Sequence, residues 1–477
     1  MGKRLQSALL KQGPIRSIGV VGMGYVGIPS AMLFADANAF EFVWGFQRNS
    51  RTSGYKIDML NRGENPLKGE EPGLDALIRK VTDAKKFKCT TDYSKIASCD
   101  AVTVTIQTPF ADAKRLEPDF EPLLAGLNEI GTHMTEGTLV SLESTVTPGT
   151  TMGLARQTLE EASGMGAGED FALAHAPERV MVGRLIRNLR EHDRIVGGID
   201  AISTQRAVAL YEPLLTLGAI IEMSATEAEV TKTAENAFRD LQIAAANELA
   251  LYCEAIGVNV YTVRSGIASL KGEGITRAVL FPGAGVGGHC LTKDTYHLVR
   301  GAAISGRASD YPLIDNSLFV RARTVNDFMP THMYHLTVAG LARVRKTLHN
   351  ARIAVLGWAF IPNSDDARNP PSAAFRDLLV KSGARVMVHD PYVRVDAAIN
   401  LSHDLKDVMS GADAIALFTG HDAYRSLDAS EVKKETGHPH PVVVDGRNVI
   451  DPDRFIQSGF IYKGIGRGDK NNHSIVR

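Results

Sequence analysis

The sequence predicts an α/β protein of 477 residues, with two doubly wound parallel-sheet domains joined by a central all-helical domain that contains a long helix. Three observations carry this expectation. A short apolar run near the start passes through closely spaced glycines into apolar helical sequence, and the last third of the chain repeats the same alternation of strands. Between them, residues 226 to 256 contain neither Gly nor Pro, as a long uninterrupted helix requires. The length exceeds what a single core supports. The expected division is a flexible tail over 1–14, a first sheet domain over 15–222, the helical domain over 223–345, a second sheet domain over 346–463 and a flexible tail over 464–477.

Composition excludes several function classes. Lys+Arg total 53 against Asp+Glu 54, a net charge of −1, which offers no global field for nucleic acid or an anionic membrane. No apolar run is long enough to span a bilayer, the first residues lack a signal core, and Gln6 stands where a myristoylation motif wants Ser or Thr. Cys89, Cys99, Cys253 and Cys290 show no metal-ligand or CxxC spacing, so reduced thiols in a cytoplasm are expected, and no metal.

Taken in order, structure is expected from Ile15. Ile18-Gly19-Val20-Val21 leads into Gly22-Met23-Gly24-Tyr25-Val26-Gly27 and then an apolar helix. In that setting the glycines permit a tight turn, close approach of backbone to a pyrophosphate, and helix-on-strand packing. This is the Rossmann-type grammar of a dinucleotide site, and it makes the first domain a candidate NAD-binding domain. The second strand, Phe42 to Phe46, ends in Gln47-Arg48-Asn49 rather than in the acid that usually binds the ribose hydroxyls. Gln47 can hydrogen-bond a ribose, whereas Arg48 can meet a 2′-phosphate; NAD is the reading taken, and NADP stays open. Strands ending near Thr108 and Thr145 each bring a threonine to the sheet edge where ligands bind. Glu178, just past another strand in His175-Ala176-Pro177-Glu178-Arg179-Val180, is a candidate base, and Arg179 a candidate phosphate or sugar contact, although such a pair alone is commonly surface decoration.

Thr226-Glu227-Ala228-Glu229 has the form of a capping box opening the long helix. Lys232 and Asn236 share one face of it, with Arg239 a turn further. Its alanines at 244, 245, 246 and 250 suit close helix packing and a dimer spine, and a second helical stretch is expected over roughly 314 to 344. The stretch Phe281-Pro282-Gly283-Ala284-Gly285-Val286-Gly287-Gly288-His289-Cys290 then delivers one cysteine out of a glycine-rich turn. A helix beginning at Leu291 would lower the thiol pKa and set Asp294 on the same face as Cys290. The bland alternative is a structural cysteine beside a turn. In the last third, the runs at Arg352, Ala412 and Pro441 echo the first domain without its glycine fingerprint, and Trp358 to Ser372 forms a turn-rich loop at the carboxyl edge.

With these motifs in order, the chain resembles the UDP-glucose/GDP-mannose dehydrogenase family over roughly residues 15–460. The match is carried by Gly22 to Gly27, Glu143-Ser144-Thr145, Pro177 to Val180, Lys232 to Asn236, Gly285 to Cys290 with Asp294, Asp365 to Arg368, and Asp445-Gly446-Arg447. Within the family, the Glu178 motif and the Asp193-Arg194-Ile195-Val196-Gly197-Gly198 run are most similar to the enzymes that act on UDP-N-acetyl-D-mannosamine. The resemblance implies a four-electron oxidation of a sugar C6 alcohol by two NAD, through a thiohemiacetal and a thioester on Cys290, for polysaccharide precursor synthesis. It assigns catalysis to Cys290, Lys232, Asn236, Asp294, Glu178 and Thr145. Cofactor binding falls to Gly22, Gly24, Tyr25, Val26, Gly27, Gln47, Arg48, Thr108 and Thr145. Substrate binding falls to Arg179, Val180, Lys232, Asn236, Arg239, Arg277, Gly287, Phe360, Arg368 and Arg447. Arg277 matches an arginine that reaches a neighbouring subunit, so at least a homodimer is implied. The second sheet domain becomes the UDP-sugar side. Ile361 stands where members usually carry lysine. The same chemistry on UDP-N-acetylglucosamine, UDP-glucose or GDP-mannose is the first alternative; a hydroxyacid dehydrogenase and a non-catalytic nucleotide-binding protein are the others.

Overall fold

The computed structural model describes residues 3–50, 53–67, 71–112, 117–180, 183–270, 279–307, 310–311 and 317–472. Contacts divide the chain into two compact units, Met1–Glu235 with Lys293–Ile314 and Asn236–Thr292 with Asp315–Arg477.

In the first unit the strands are β1 (Ser17–Val21), β2 (Phe42–Phe46), β3 (Phe87–Thr90), β4 (Ala101–Val104), a small hairpin of β5 (Phe110–Asp112) and β6 (Glu117–Pro118), β7 (Leu139–Leu142), β8 (Ala172–His175), β9 (Arg194–Gly198) and β10 (Ile220–Ser224). Apart from the hairpin they form one eight-stranded sheet in the order β10-β9-β8-β7-β4-β1-β2-β3. Every neighbouring pair is parallel except β8 with β9. Strands β4, β7 and β8 are buried throughout, because helices cover both faces of a parallel sheet. Alternation divides the core accordingly: Ile18 and Val20 pack with Phe34 and Val43, whereas Val21 packs with Val102, Val104 and Leu142. The strand order reverses between β1 and β4, so the crevice outside their carboxyl ends is where this architecture binds a ligand.

The expected N-terminal tail is instead a helix, Lys3–Gln12. Leu5 is fully buried in the core with Leu9 packed beside it, an i,i+4 pair that the basic flanks concealed. Arg206 fixes the helix end by donating to Gly13 O and Gln12 Oε1, both at 2.8 Å.

The long helix spans Ala225–Ala255, and the chain passes from the first unit to the second within it. Its box is Ser224 with Glu227 rather than Thr226 with Glu229. Ser224 N donates to Glu227 Oε2 at 2.8 Å, and Glu227 N to Ser224 Oγ at 3.3 Å. Glu229 is fully buried and accepts from Gly149 N at 2.6 Å and Thr151 N at 2.7 Å, so it holds the loop after β7.

In the second unit β11 (Arg352–Leu356), β12 (Arg385–His389), β13 (Leu401–Ser402), β14 (Ala414–Leu417), β15 (Val442–Asp445) and β16 (Ile461–Gly464) form a wholly parallel sheet in the order β13-β12-β11-β14-β15-β16. This is the doubly wound repeat, with its own reversal between β11 and β14. The helix Leu318–Arg343 packs on β14, β15 and β16, and its Met329 and Met333 join the core of that sheet. The expected flexible segment from Gly464 is ordered as far as residue 472. Gly464 ends β16, a short helix covers Gly468–Asn471, and Glu254 accepts from Gly466 N (2.7 Å) and Asn471 Nδ2 (3.0 Å). Among the described residues no helix is long and apolar enough to cross a membrane, and no cluster of His, Cys, Asp and Glu could hold a metal ion.

Candidate active site

The first unit builds a dinucleotide cradle at the β1/β4 reversal. Gly22, at φ +106°, turns the chain out of β1, and the helix Gly27–Asp36 begins five residues later. A side chain at Gly27 would sit 1.9 Å from Gly22 O, so helix and turn touch through that glycine. A Cβ at Gly24 would meet nothing within 4 Å. Close packing at Gly27 with open space at Gly24 fits a group whose phosphates lie against the turn and the helix N-terminus, and these residues therefore fit NAD. Thr105 Oγ1 donates to Gly22 O at 2.6 Å and braces the turn. Gln47 Oε1 accepts from Met23 N at 3.1 Å and its Nε2 donates to Ser53 Oγ at 3.0 Å, so the residue in place of the acid braces the same turn. Arg48 is exposed, while Tyr25 and Val26 are half-buried in the turn.

Two threonines meet at the carboxyl edge. Thr108 Oγ1 donates to Thr145 O. Lys293, buried and unforeseen in the sequence, reaches Thr108 Oγ1 at 3.4 Å and Asp294 Oδ1 at 2.8 Å. His297 bonds Thr147 Oγ1 through Nδ1 at 2.9 Å and approaches Thr108 O at 3.3 Å through Nε2. Asp294 is fully buried. Burial pushes its carboxyl up, but the cations of Lys293 and Lys232, the Lys293 hydrogen bond and His297 together hold it below the usual range. It is therefore a carboxylate at neutral pH. Lys232 is 8 % exposed and, without a hydrogen bond or ion pair among the described residues, acts on Asp294 and His175 through its charge. His175 lies under the same edge, and burial, then the cations of Arg194 and Lys232, push it down to about 3, so its ring is neutral.

Glu178 is buried, pairs with Arg194 and accepts from Arg179 N at 2.7 Å. It is thus an oriented carboxylate rather than a solvated base. The Arg179 guanidinium donates to Asp193 O, and Val180 is half-buried.

The second unit builds the cysteine loop. Asn247 Oδ1, on the long helix, accepts from Gly283 N at 2.8 Å, its Nδ2 donates to Asn326 Oδ1, and Asn326 in turn donates to Asp240. At Gly285 (φ +119°) an added Cβ would meet Pro371 at 2.9 Å and Pro330 at 3.1 Å. At Gly287 and Gly288 it would strike Phe360, at 2.5 and 2.7 Å. The glycines therefore let the loop wedge between the helix Leu318–Arg343 and the loop after β11. Arg447 donates to Gly285 O at 3.0 Å and Phe418 O at 2.9 Å, while Arg368 pairs with Asp366 and its backbone O accepts from Gly288 N at 2.9 Å. Arg447 thus braces the loop through its guanidinium and Arg368 through its backbone carbonyl. Cys290 is exposed at its end, whereas Cys89, Cys99 and Cys253 are buried. Burial pushes the Cys89 and Cys99 thiols up to about 12.

One expectation about this loop is corrected. Leu291 to Lys293 form a turn and the helix begins at Asp294, so Cys290 lies four residues ahead of it and the two residues do not share a helical face. On the long helix Asn236 is half-buried and Arg239 exposed. Arg277 lies outside the described residues. The sequence also left Lys293, His297, Arg194 and Glu229 without a role at the site. Lys293 stands next to Asp294 in the sequence, and the motif that holds Glu229 reads as a cap.

Comparison with known proteins bears on all three regions. Residues 16–215 match the NAD binding domain of the UDP-glucose/GDP-mannose dehydrogenase family, residues 226–326 its central domain and residues 354–452 its UDP binding domain. The chain is 36% identical to a UDP-N-acetyl-D-mannosamine dehydrogenase of Pyrococcus horikoshii, covering 95% of this chain and 99% of that protein. It is 33% identical to an NDP-N-acetyl-D-galactosaminuronic acid dehydrogenase of Ralstonia nicotianae, covering 92% and 97%. Among solved structures, an NDP-N-acetyl-D-galactosaminuronic acid dehydrogenase from Methanosarcina mazei superposes with a TM-score of 0.87 at 64% identity, covering 99% of both chains.

Proposed function

Because the chain belongs to the UDP-glucose/GDP-mannose dehydrogenase family, an NAD-dependent group of nucleotide-sugar dehydrogenases, we propose that it oxidises the C6 alcohol of a UDP-N-acetylhexosamine to the carboxylate through a covalent intermediate on Cys290. The observation that carries the reading is the exposure of one cysteine, delivered by a braced glycine loop, while the other three are buried. NAD, when bound, accepts one hydride from C6 in each of two rounds.

The residues divide the remaining work. In the first oxidation the C6 hydroxyl proton passes to a water held by Asp294 and C6 becomes an aldehyde, while the Lys232 cation stabilises the negative charge developing on that oxygen. The Cys290 thiolate adds to that aldehyde, forming a C–S bond and an oxyanion that takes up a proton as the thiohemiacetal. Lys232 and Asn236 stabilise the oxyanion; a buried ammonium suits that task. The second oxidation removes the remaining C6 hydrogen with its electron pair and the hydroxyl proton, leaving a thioester. Water then attacks the thioester carbonyl, its proton passes to Glu178, the C–S bond breaks and Cys290 leaves as thiolate. Covalent capture keeps the half-oxidised sugar on the protein between rounds. Arg179, Val180 and Arg239 are assigned to sugar and diphosphate, and the product is a nucleotide-linked uronic acid, a precursor for polysaccharide. A homodimer is the proposed assembly.

UDP-N-acetyl-D-mannosamine is the first substrate reading, from the Glu178 and Asp193 motifs and the Pyrococcus relative. An N-acetylgalactosamine configuration is the second, favoured by the 64% identity to the Methanosarcina protein. Initial rates with the UDP-linked N-acetylmannosamine, N-acetylgalactosamine, N-acetylglucosamine and glucose substrates decide between them. Turnover of UDP-glucose alone would overturn both, and a Cys290→Ser variant that still forms the acid would overturn the covalent route.

A further inference from the structure

The Asp193 to Gly198 run, distinctive in the sequence, has no part in the steps above. From Arg194 onward it forms β9, the strand that runs antiparallel to β8. In the β8/β9 register His175 lies opposite Gly197 and Ala174 opposite Gly198. Continued past β8, that register sets residue 194 across from residue 178. Because β9 is reversed, its first residue stands at the carboxyl edge of β7 and β8, where the candidate chemistry sits, instead of at the far edge.

Arg194 is 7% exposed, and both terminal nitrogens of its guanidinium meet that edge, while Nε makes no hydrogen bond among the described residues. Nη1 pairs with Glu178 Oε2. Nη2 donates to Ala176 O at 2.9 Å and lies 3.2 Å from Glu143 Oε1. The guanidinium carbon stands 4.2 Å from the centre of the Tyr211 ring, and the Tyr211 hydroxyl donates to Glu143 Oε1 at 2.9 Å. One planar cation therefore fixes both the side chain of Glu178 and the backbone two residues before it, and ties them to Glu143, two residues before Thr145.

We propose that Arg194 is a positioning residue that acts through Glu178 on the water that releases the acid, with Glu143 and Tyr211 holding the guanidinium in place. The proposal rests on Glu178 as the group that takes the proton of that water. Other charged or titratable groups face the cluster. Arg179 contributes its backbone N–H to Glu178 and turns its guanidinium to Asp193 O, and His175 is neutral. Lys232 reaches the cluster through its field on His175, and burial pushes the Glu143 carboxyl and the Tyr211 hydroxyl up. Arg194 is the cation whose nitrogens pair with the Glu178 carboxylate. A lysine in its place keeps the charge but cannot address Glu178, Glu143 and Ala176 O together.

The test is Arg194→Lys, compared with Glu178→Gln in the full-length protein with NAD and the preferred UDP-sugar. Arg194→Lys is expected to leave the first burst of NADH at its normal rate, while kcat falls on the order of 100-fold, the low end for losing general-base assistance, and the KM for the UDP-sugar falls with it because the adduct accumulates. Protein quenched at steady state should carry the sugar covalently by mass. The acid limb of the kcat profile should move to higher pH, because a buried carboxylate that loses the close pairing of its cation protonates more readily. An unmoved acid limb with no adduct would overturn the proposal, as would an equal slowing of burst and steady state. If Arg194→Lys does not fold, Tyr211→Phe serves, with the same shifts in smaller measure; no shift there overturns the proposal as well. Glu178→Gln separates the two ideas. If it releases acid normally, the underlying role of Glu178 is wrong; if it stalls as the adduct while Arg194→Lys does not, only the role of Arg194 is wrong.

Discussion

Replacing Gly24 and Gly27 singly by alanine separates two uses of one turn. At Gly27 the new methyl would stand 1.9 Å from Gly22 O and 2.6 Å from Thr105 Oγ1, so the turn or the helix must move even with nothing bound. Overpacking of this kind costs about 1–3 kcal/mol. In a unit of this size that lowers the unfolding midpoint by roughly 2–12 °C, at ~2–4 °C per kcal/mol. At Gly24 the methyl enters open space, so the midpoint should hold. What it displaces is the close approach of phosphate to backbone N–H, where a charge-assisted hydrogen bond contributes about 1.5–3 kcal/mol. The KM for NAD should then rise roughly 10- to 150-fold. Thermal melts without ligand and initial rates of NADH appearance against NAD concentration read the two effects. A Gly24→Ala protein with unchanged KM for NAD would refute the assignment of that space to the dinucleotide. An unaltered melt for Gly27→Ala would refute the packing argument.

Three further outcomes follow from the geometry. A thiol-alkylating reagent at neutral pH should modify Cys290 in the native protein, because burial holds Cys89 and Cys99 near 12 and also raises Cys253; peptide mass mapping that finds the label on those three instead would contradict this. Leu5→Ala should cost about 2–5 kcal/mol in a urea titration, the range for emptying a buried leucine site, and an unchanged midpoint would restore the N-terminal segment to the status of a tail. Asp294→Asn should cost stability at neutral pH. Burial opposes the Asp294 charge, but Lys293, Lys232 and His297 prevail and its folded pKa lies below the unfolded value of about 3.9. That contribution is complete above the unfolded value and is lost as pH falls through the folded one, so parent and variant should converge in acid; a gap that persists there would mean the cost is packing alone.

Both sheets were legible because parallel strands covered on two faces are near-continuous apolar runs, and the first glycine turn announced its own geometry. What sequence could not supply were roles fixed by distant partners. Ser224-x-x-Glu227 and Thr226-x-x-Glu229 are equally good boxes on paper; Gly149 and Thr151, nearly 80 residues away, claim Glu229 and leave the cap to the other pair. The Lys3–Gln12 helix depends on Arg206 and a shared core, which its basic composition gives no sign of. Arg447 meets the glycine loop through its guanidinium and Arg368 through its backbone carbonyl, contacts that only packing reveals. The reversal of β9, which brings Arg194 to the carboxyl edge, is likewise invisible in the pentapeptide Arg194 to Gly198. Cys290 was found, but the helix placed beside it begins later, because Leu291 to Lys293 turn before Asp294.

The central claim is that Cys290 retains a half-oxidised sugar for a second hydride transfer. The direct measurement is the NADH formed per UDP-sugar consumed at complete conversion. Two NADH and a carboxylate product are predicted; one NADH with an aldehyde released to solution would contradict the covalent account.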